Sequence, residues 1–139
     1  MTDVVLHKAE IIERALARVR ATYAAHRTTL EQDIDAQDVI VLNLQRAGEA
    51  SIDLAMHVVR LKEAGLPKDS RDGFTLLAKN RIITPVLAER LKRRVSFRNI
   101  AVHDYRALDW AIVRAIVEKD VLDAAEFSRQ MVKEFGSVE

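Results

Sequence analysis

Apolar positions at the head of the chain recur at alternating spacings of four and three. Val5, Ala9, Ile12, Leu16, Val19 and Tyr23 fall on one face of a helix, with Glu10, Glu13, Arg14 and Arg18 elsewhere around it. Asp3 is placed to cap its start. Residues Thr28 to Gln37 are polar, and a second helix begins within them. Val41, Leu44, Gly48, Ser51, Ala55 and Val58 keep the same rhythm, and several are small, which predicts a neighbouring helix at close approach. Gly48 costs about 1 kcal/mol relative to Ala inside a helix, so a kink or a tight packing site is expected there. Gly65-Leu66-Pro67 predicts where this helix ends.

The rest of the chain continues in shorter helical units. Asp69 or Ser70 is expected to cap a short helix carrying Phe74, Leu76 and Leu77. Thr84-Pro85 pairs a capping hydroxyl with a proline at the first helical position, and Leu87, Leu91 and Val95 follow as an i, i+4 stripe. Asp109 predicts another cap, with Trp110, Val113 and Val117 inward. Asp120, with Asp123 three residues on, predicts a fresh cap before a last helix with Phe127, Met131 and Phe135 on one side. No segment alternates with period two, and no repeat or linker stands out. The expected fold class is all-α: an antiparallel helical bundle of five to six helices, as a single domain over residues 1–139.

Composition narrows the chemistry. A chain of 139 residues, 49% hydrophobic and 31% charged, can bury one core. The net charge is +1, so any nucleic-acid contact has to come from a local patch or an assembly. There is no cysteine, which excludes disulfides, thiolate metal sites and cysteine nucleophiles. Met1-Thr2-Asp3-Val4 reads as the first turn of a helix rather than a signal peptide, and no apolar run approaches a membrane span. A cytoplasmic location is therefore expected. His7, His26 and His57 form no i, i+4 pair, so no metal site and no cofactor is expected. Asp33, Asp35 and Asp38 read as dipole-favouring charge at a helix start. Glu49 and Asp53, one turn apart, are placed to border a cleft.

The densest polar chemistry lies after Pro85. Arg90, Arg94 and Arg98 stand at i, i+4, i+8, with Lys92 and Arg93 nearby. Such a stripe has two readings, a solvated face or a phosphate track gripped by bidentate guanidinium groups. His103 and Tyr105 follow. An Arg five positions before a His lies roughly 140° away on an ideal helix, so the two share a face only if the helix ends or distorts near His103.

Arg98-Asn99-Ile100-Ala101-Val102-His103 resembles the Arg, polar, three variable, His signature of HEPN ribonucleases, and His103-Asp104-Tyr105 extends it to the Arg-x4-His-x-Tyr form of HepT-like toxins. The segment Asn43-Leu44-Gln45-Arg46-Ala47-Gly48-Glu49-Ala50 and the helix start at Asp109-Trp110 are similar as well, so the likeness covers most of the chain. The resemblance implies a toxin that cleaves single-stranded or loop RNA without metal, as a homodimer or within a higher hetero-oligomer, with the motifs facing each other across a cleft. It implies catalytic roles for Arg98 and His103, support from Asn99, Arg94 and Arg90, and a cognate MNT-type nucleotidyltransferase antitoxin that attaches AMP to Tyr105. The need for two subunits matches a chemical count. Attack by a ribose 2′-OH calls for a base, an acid and a cation, and one subunit offers a single suitable His.

Two other readings compete. One is a non-catalytic helical subunit that binds a nucleotidyltransferase or nucleotide. The other is a plain dimerising bundle whose arginines only solubilise it. Tyr105 likewise is either a packed ring with a bonded hydroxyl or the modified residue.

Overall fold

The computed structural model describes residues 3–101 and 109–136, with backbone alone over 94–101 and at 120. Within these residues every regular element is helical. They are α1 (Val4–Ala25), a 3₁₀ turn (Leu30–Gln32), α2 (Ile34–Leu61), α3 (Asp72–Lys79), α4 (Pro85–Ala101), α5 (Trp110–Ala115) and α6 (Val121–Phe135).

The helix starts follow capping chemistry. Asp3 accepts from Leu6 N at 3.1 Å, Asp33 from Ala36 N at 3.0 Å, and Asp109 from Ala111 N at 3.0 Å. Thr84 Oγ1 accepts from Leu87 N at 3.1 Å ahead of Pro85. Asp69 works one turn earlier than a cap of α3: it accepts from Arg71 N at 2.9 Å and Asp72 N at 3.1 Å, and Arg71 is the N-cap residue.

One helix end departs from expectation. α2 stops at Leu61, before Gly65, through a Schellman motif in which Glu63 N bonds Arg60 O at 3.2 Å and Ala64 N bonds Val59 O at 2.9 Å. The left-handed position is Glu63, at φ 50°, so the glycine usually found there is missing. α3 ends the same way, with Arg81 at φ 61° and Ile82 N on Leu77 O at 2.9 Å. A C-terminus closed by the backbone itself leaves no composition signal, which is why the Gly-Pro pair pointed too far along the chain.

The fresh cap expected at Asp120 is also corrected. The backbone stays in the α-helical region at Ala115 (φ −62°), Ile116 (φ −61°) and Val121 (φ −63°), so α5 runs into α6 through a π-helical turn over Ile116–Asp120. One residue inserted in the ladder keeps Val113, Val117 and Val121 all in the core, which an unbroken α-helical register could not do as closely.

α2 is the central element, packed against α1, α3, α4 and α6. Its small residues do let a neighbour in: a Cβ at Gly73 on α3 would stand 3.3 Å from that of Ala55. Phe74 meets Phe127 edge-to-face with ring centroids 5.6 Å apart, joining α3 to α6 in the middle of the core. Polar atoms buried on α2 are answered locally, Asn43 by Val39 O at 2.8 Å and Ser51 by Ala47 O at 2.7 Å. No helix among the described residues is long and apolar enough to cross a membrane.

Candidate active site

α4 carries the arginine of the motif. Leu87 and Leu91 are buried on it, 7% and 1% exposed. Seven residues advance an ideal helix to within about 20° of a full set of turns, so position 98 continues the line of Leu91. The spacing of four in Arg90, Arg94 and Arg98 drifts by roughly 40° at each step. By register alone, position 98 falls in line with Leu91, and position 90 lies roughly 80° round the helix from it.

The described side chains of α4 divide into engaged and unengaged cations. Arg90 Nη1 meets Asp123 Oδ1 on α6 at 3.3 Å. Lys92 Nζ lies 2.8 Å from Glu89 and donates to Thr75 Oγ1 on α3 at 3.1 Å. The Arg93 side chain is exposed and makes no hydrogen bond or ion pair among the described residues. Arg94, Arg98 and Asn99 have backbone positions on α4, whereas His103 and Tyr105 lie outside the described residues.

α5, which follows the motif segment in the chain, is held by a polar network that sequence reasoning missed. Arg114 on α5 bonds Glu31 through Nη2 at 2.6 Å and Nε at 3.1 Å, and donates through Nη1 to Arg27 O at 2.7 Å. Its guanidinium also lies 5.8 Å from the Tyr23 ring centroid, with Arg27 at 5.9 Å. The Tyr23 hydroxyl donates to Glu118 in the π turn. Arg114 holds the Glu31 carboxyl below its ordinary range, and Glu31, then Tyr23, holds the Arg114 guanidinium above its own. This ties the end of α5 to the α1–α2 connection. Tyr23 counted in the sequence only as an apolar position, and nothing there signalled partners so distant in the chain.

α4 and α6 run antiparallel, since Pro85 and Gln130 line one pocket while Arg90 meets Asp123 further along. The C-terminal end of α4 thus points to the end of the bundle that holds Arg114 and Glu31. The acidic pair Glu49 and Asp53 lines a separate groove between α1 and α2 with Ile11, Leu42 and Arg46, and Asp53 is taken by Lys8 at 3.1 Å. His26 pairs with Asp33 at 2.9 Å, a structural use at the α1–α2 junction. Among the described residues no cluster of His, Asp or Glu is disposed to hold a metal.

An all-helical bundle with a basic helix running into an Arg-x4-His-x-Tyr segment defines a protein of the HEPN class. A solved toxin–antitoxin with AMP-PNP superposes at a TM-score of 0.90 with 40% identity, covering 96% of this chain and 100% of that one. A tri-AMPylated HEPN toxin from Shewanella oneidensis, in complex with MNT antitoxin, superposes at 0.89 with 41% identity over 96% and 100%. The mRNA nuclease HepT of Shewanella oneidensis is 42% identical over 127 residues, 91% of this chain and 95% of its own length. The model of the family described as ribonuclease HepT-like matches residues 12–131, and the chain belongs to that family.

Proposed function

We propose that the protein is the toxin of a toxin–antitoxin pair and a metal-independent endoribonuclease, acting in the cytoplasm as one domain per subunit. The observation that carries this reading is a complete Arg98…His103-Asp104-Tyr105 motif within the matched residues 12–131. The 42% identity to an mRNA nuclease supports it, and so does the register that puts position 98 in line with the inward face of α4.

Two subunits bring their motifs together over one phosphodiester. His103 of one protomer takes the proton from a ribose 2′-OH. The 2′-oxygen then attacks phosphorus and the bond from phosphorus to the 5′-oxygen breaks. The leaving oxygen receives a proton from His103 of the partner subunit. Arg98 stabilises the charge that builds on the equatorial oxygens, and Asn99 orients the phosphate or the imidazole. In an alternative division of labour, His103 works with Arg98 alone. Arg94 and Arg90 hold flanking phosphates, with Arg90 giving up its contact to Asp123 to do so. The products carry a 2′,3′-cyclic phosphate and a 5′-OH.

Regulation follows from Tyr105. The relative solved with MNT antitoxin is tri-AMPylated, which supports AMP transfer to Tyr105 by a cognate nucleotidyltransferase. Adenylate there adds negative charge and bulk beside Arg98 and competes with RNA phosphate.

The test is to express wild type, Arg98→Ala and His103→Ala, follow growth, and map RNA ends. Both variants are expected to keep the fold and lose cleavage and growth arrest. Ends carrying 5′-phosphate together with a strict Mg²⁺ requirement would overturn the mechanism. Toxicity that survives both substitutions would point to a non-catalytic partner of a nucleotidyltransferase. Tyr105→Phe is expected to stay toxic and to escape neutralisation by AMP transfer, read by growth and by mass spectrometry of the toxin.

A further inference from the structure

A polar groove of about 260 Å³ lies between α3 and α4, away from the inward line of position 98. Its carboxylates already have partners. Asp69 accepts from the backbone N–H groups of Arg71 and Asp72, and Asp72 from that of Lys68 at 2.7 Å. Glu89 takes the Lys92 ammonium at 2.8 Å. What remains is a pair of guanidinium groups, Arg71 from the α3 side and Arg93 from α4. Both are exposed, and neither makes a side-chain hydrogen bond or ion pair among the described residues. Both line the groove, and the charge of each acts on Glu89. The Glu89 carboxyl is held below its ordinary range first by the Lys92 hydrogen bond, with the charges of Lys92, Arg93 and Arg71 adding to it.

The two guanidinium groups supply up to ten N–H donors and no acceptor, the donor set that phosphate oxygens take, beside Asp69 and Asp72, whose charge the backbone N–H groups do not cancel. On α4, position 93 is about 7.5 Å along the axis from position 98 and roughly 140° round it. A ligand touching both must curve round a helix about 10 Å across. A single strand bends on that scale, whereas a duplex resists bending over far longer lengths.

We propose that this groove is an RNA-binding site remote from the cleaved bond, in which Arg71 and Arg93 grip backbone phosphates of a single strand that wraps α4. The assignment rests on the ribonuclease reading above. It gives the enzyme a footprint several nucleotides wide and a preference for unpaired RNA, from a chain whose net charge is only +1.

The experiment is fluorescence anisotropy with a 20-nucleotide 2′-O-methyl single strand, which has no free 2′-OH to attack, titrated across KCl concentrations. Wild type is compared with Arg71→Gln, Arg93→Gln, the double variant and Arg71→Lys/Arg93→Lys, each checked by thermal melting. Each Gln substitution is expected to weaken binding about tenfold and to lower the log–log salt slope by about 0.7. The Lys pair is expected to keep most of the slope, since its charge is retained, and melting to be unchanged in all. Wild-type affinity and slope in the double Gln variant would sink the groove while leaving cleavage by the wild type, measured in parallel on unmodified RNA, as support for the ribonuclease reading. Loss confined to capture of the nucleotidyltransferase, with RNA affinity intact, would assign the pair to a protein contact and overturn the proposal. A wild type that neither binds the probe nor cuts RNA removes the ribonuclease reading and the groove together.

Discussion

α2 and α4 are neighbours in the core and opposites in use. α2 has one face buried along its length, and its polar side chains in the core, Gln37, Asn43 and Ser51, all bond backbone carbonyls nearby. α4 buries Leu87, Ala88 and Leu91 and then becomes basic, with Arg93 exposed and Arg94 and Arg98 following in sequence. A helix face whose buried polar groups are all answered internally holds the fold. A helix that leaves cations unanswered has something left for a ligand. Substitutions in α2 should accordingly move stability, and substitutions at the basic end of α4 should move RNA chemistry while the melting temperature stays put.

The largest effects should test that division directly. Leu54 on α2 is fully buried, at 0% exposure, between elements that cannot all collapse to fill its place. Leu54→Ala is expected to cost about 2–5 kcal/mol, read by chemical denaturation, with RNA cleavage per folded molecule little altered. Arg98→Ala should do the reverse. Loss of the charge stabiliser is expected to lower the cleavage rate by about 10²–10³-fold with no comparable change in denaturation midpoint. A large drop in stability for Arg98→Ala would mean that its place on the inward line of Leu91 is structural, and the contrast between the helices would fail.

The end of α2 offers a smaller effect of opposite sign. Glu63 occupies a left-handed position, at φ 50°, that costs a non-glycine residue about 1–2 kcal/mol. Glycine removes that strain but adds about 0.5–1 kcal/mol of backbone entropy to the unfolded chain. Glu63→Gly is therefore expected to stabilise by about 0.5–1 kcal/mol, seen as a raised melting temperature with activity unchanged.

The same contrast explains what could be read from the sequence. Buried stripes such as Val5–Tyr23 and Val41–Val58 were legible because burial imposes a helical period on residue type. Caps at Asp3, Asp33, Thr84 and Asp109 were legible because an orphan N–H group demands a short polar side chain. The π turn at Ile116–Asp120 and the Schellman ends at Glu63 and Arg81 were not, since backbone bonds alone build them. In the site, the Arg98–Tyr105 motif was visible as a local string. The Arg114–Glu31 bond and the pairing of Arg71 with Arg93 across a groove join residues far apart in the chain, and no local pattern encodes such a meeting.

The Arg114–Glu31 bond gives the smallest and most specific effect. Glu31 stands in the 3₁₀ turn that leads into α2, and its carboxyl is depressed by the Arg114 hydrogen bond. A depressed carboxyl contributes stability that is fully present above its ordinary value of 4.5 and is lost as pH falls through the lower folded value. Arg114 stays charged throughout, so the change belongs to Glu31. Glu31→Gln keeps a hydrogen-bond acceptor and removes the titration. Its melting temperature should match wild type more closely as pH drops below 4.5 than it does at pH 7. The side chains are partly exposed, and salt should shrink the difference at neutral pH. A gap between wild type and Glu31→Gln that is the same at pH 3 and pH 7 would show that the bond does not depend on the charge of Glu31. The end of α5 would then be held by the Arg27 carbonyl and the Tyr23 ring instead.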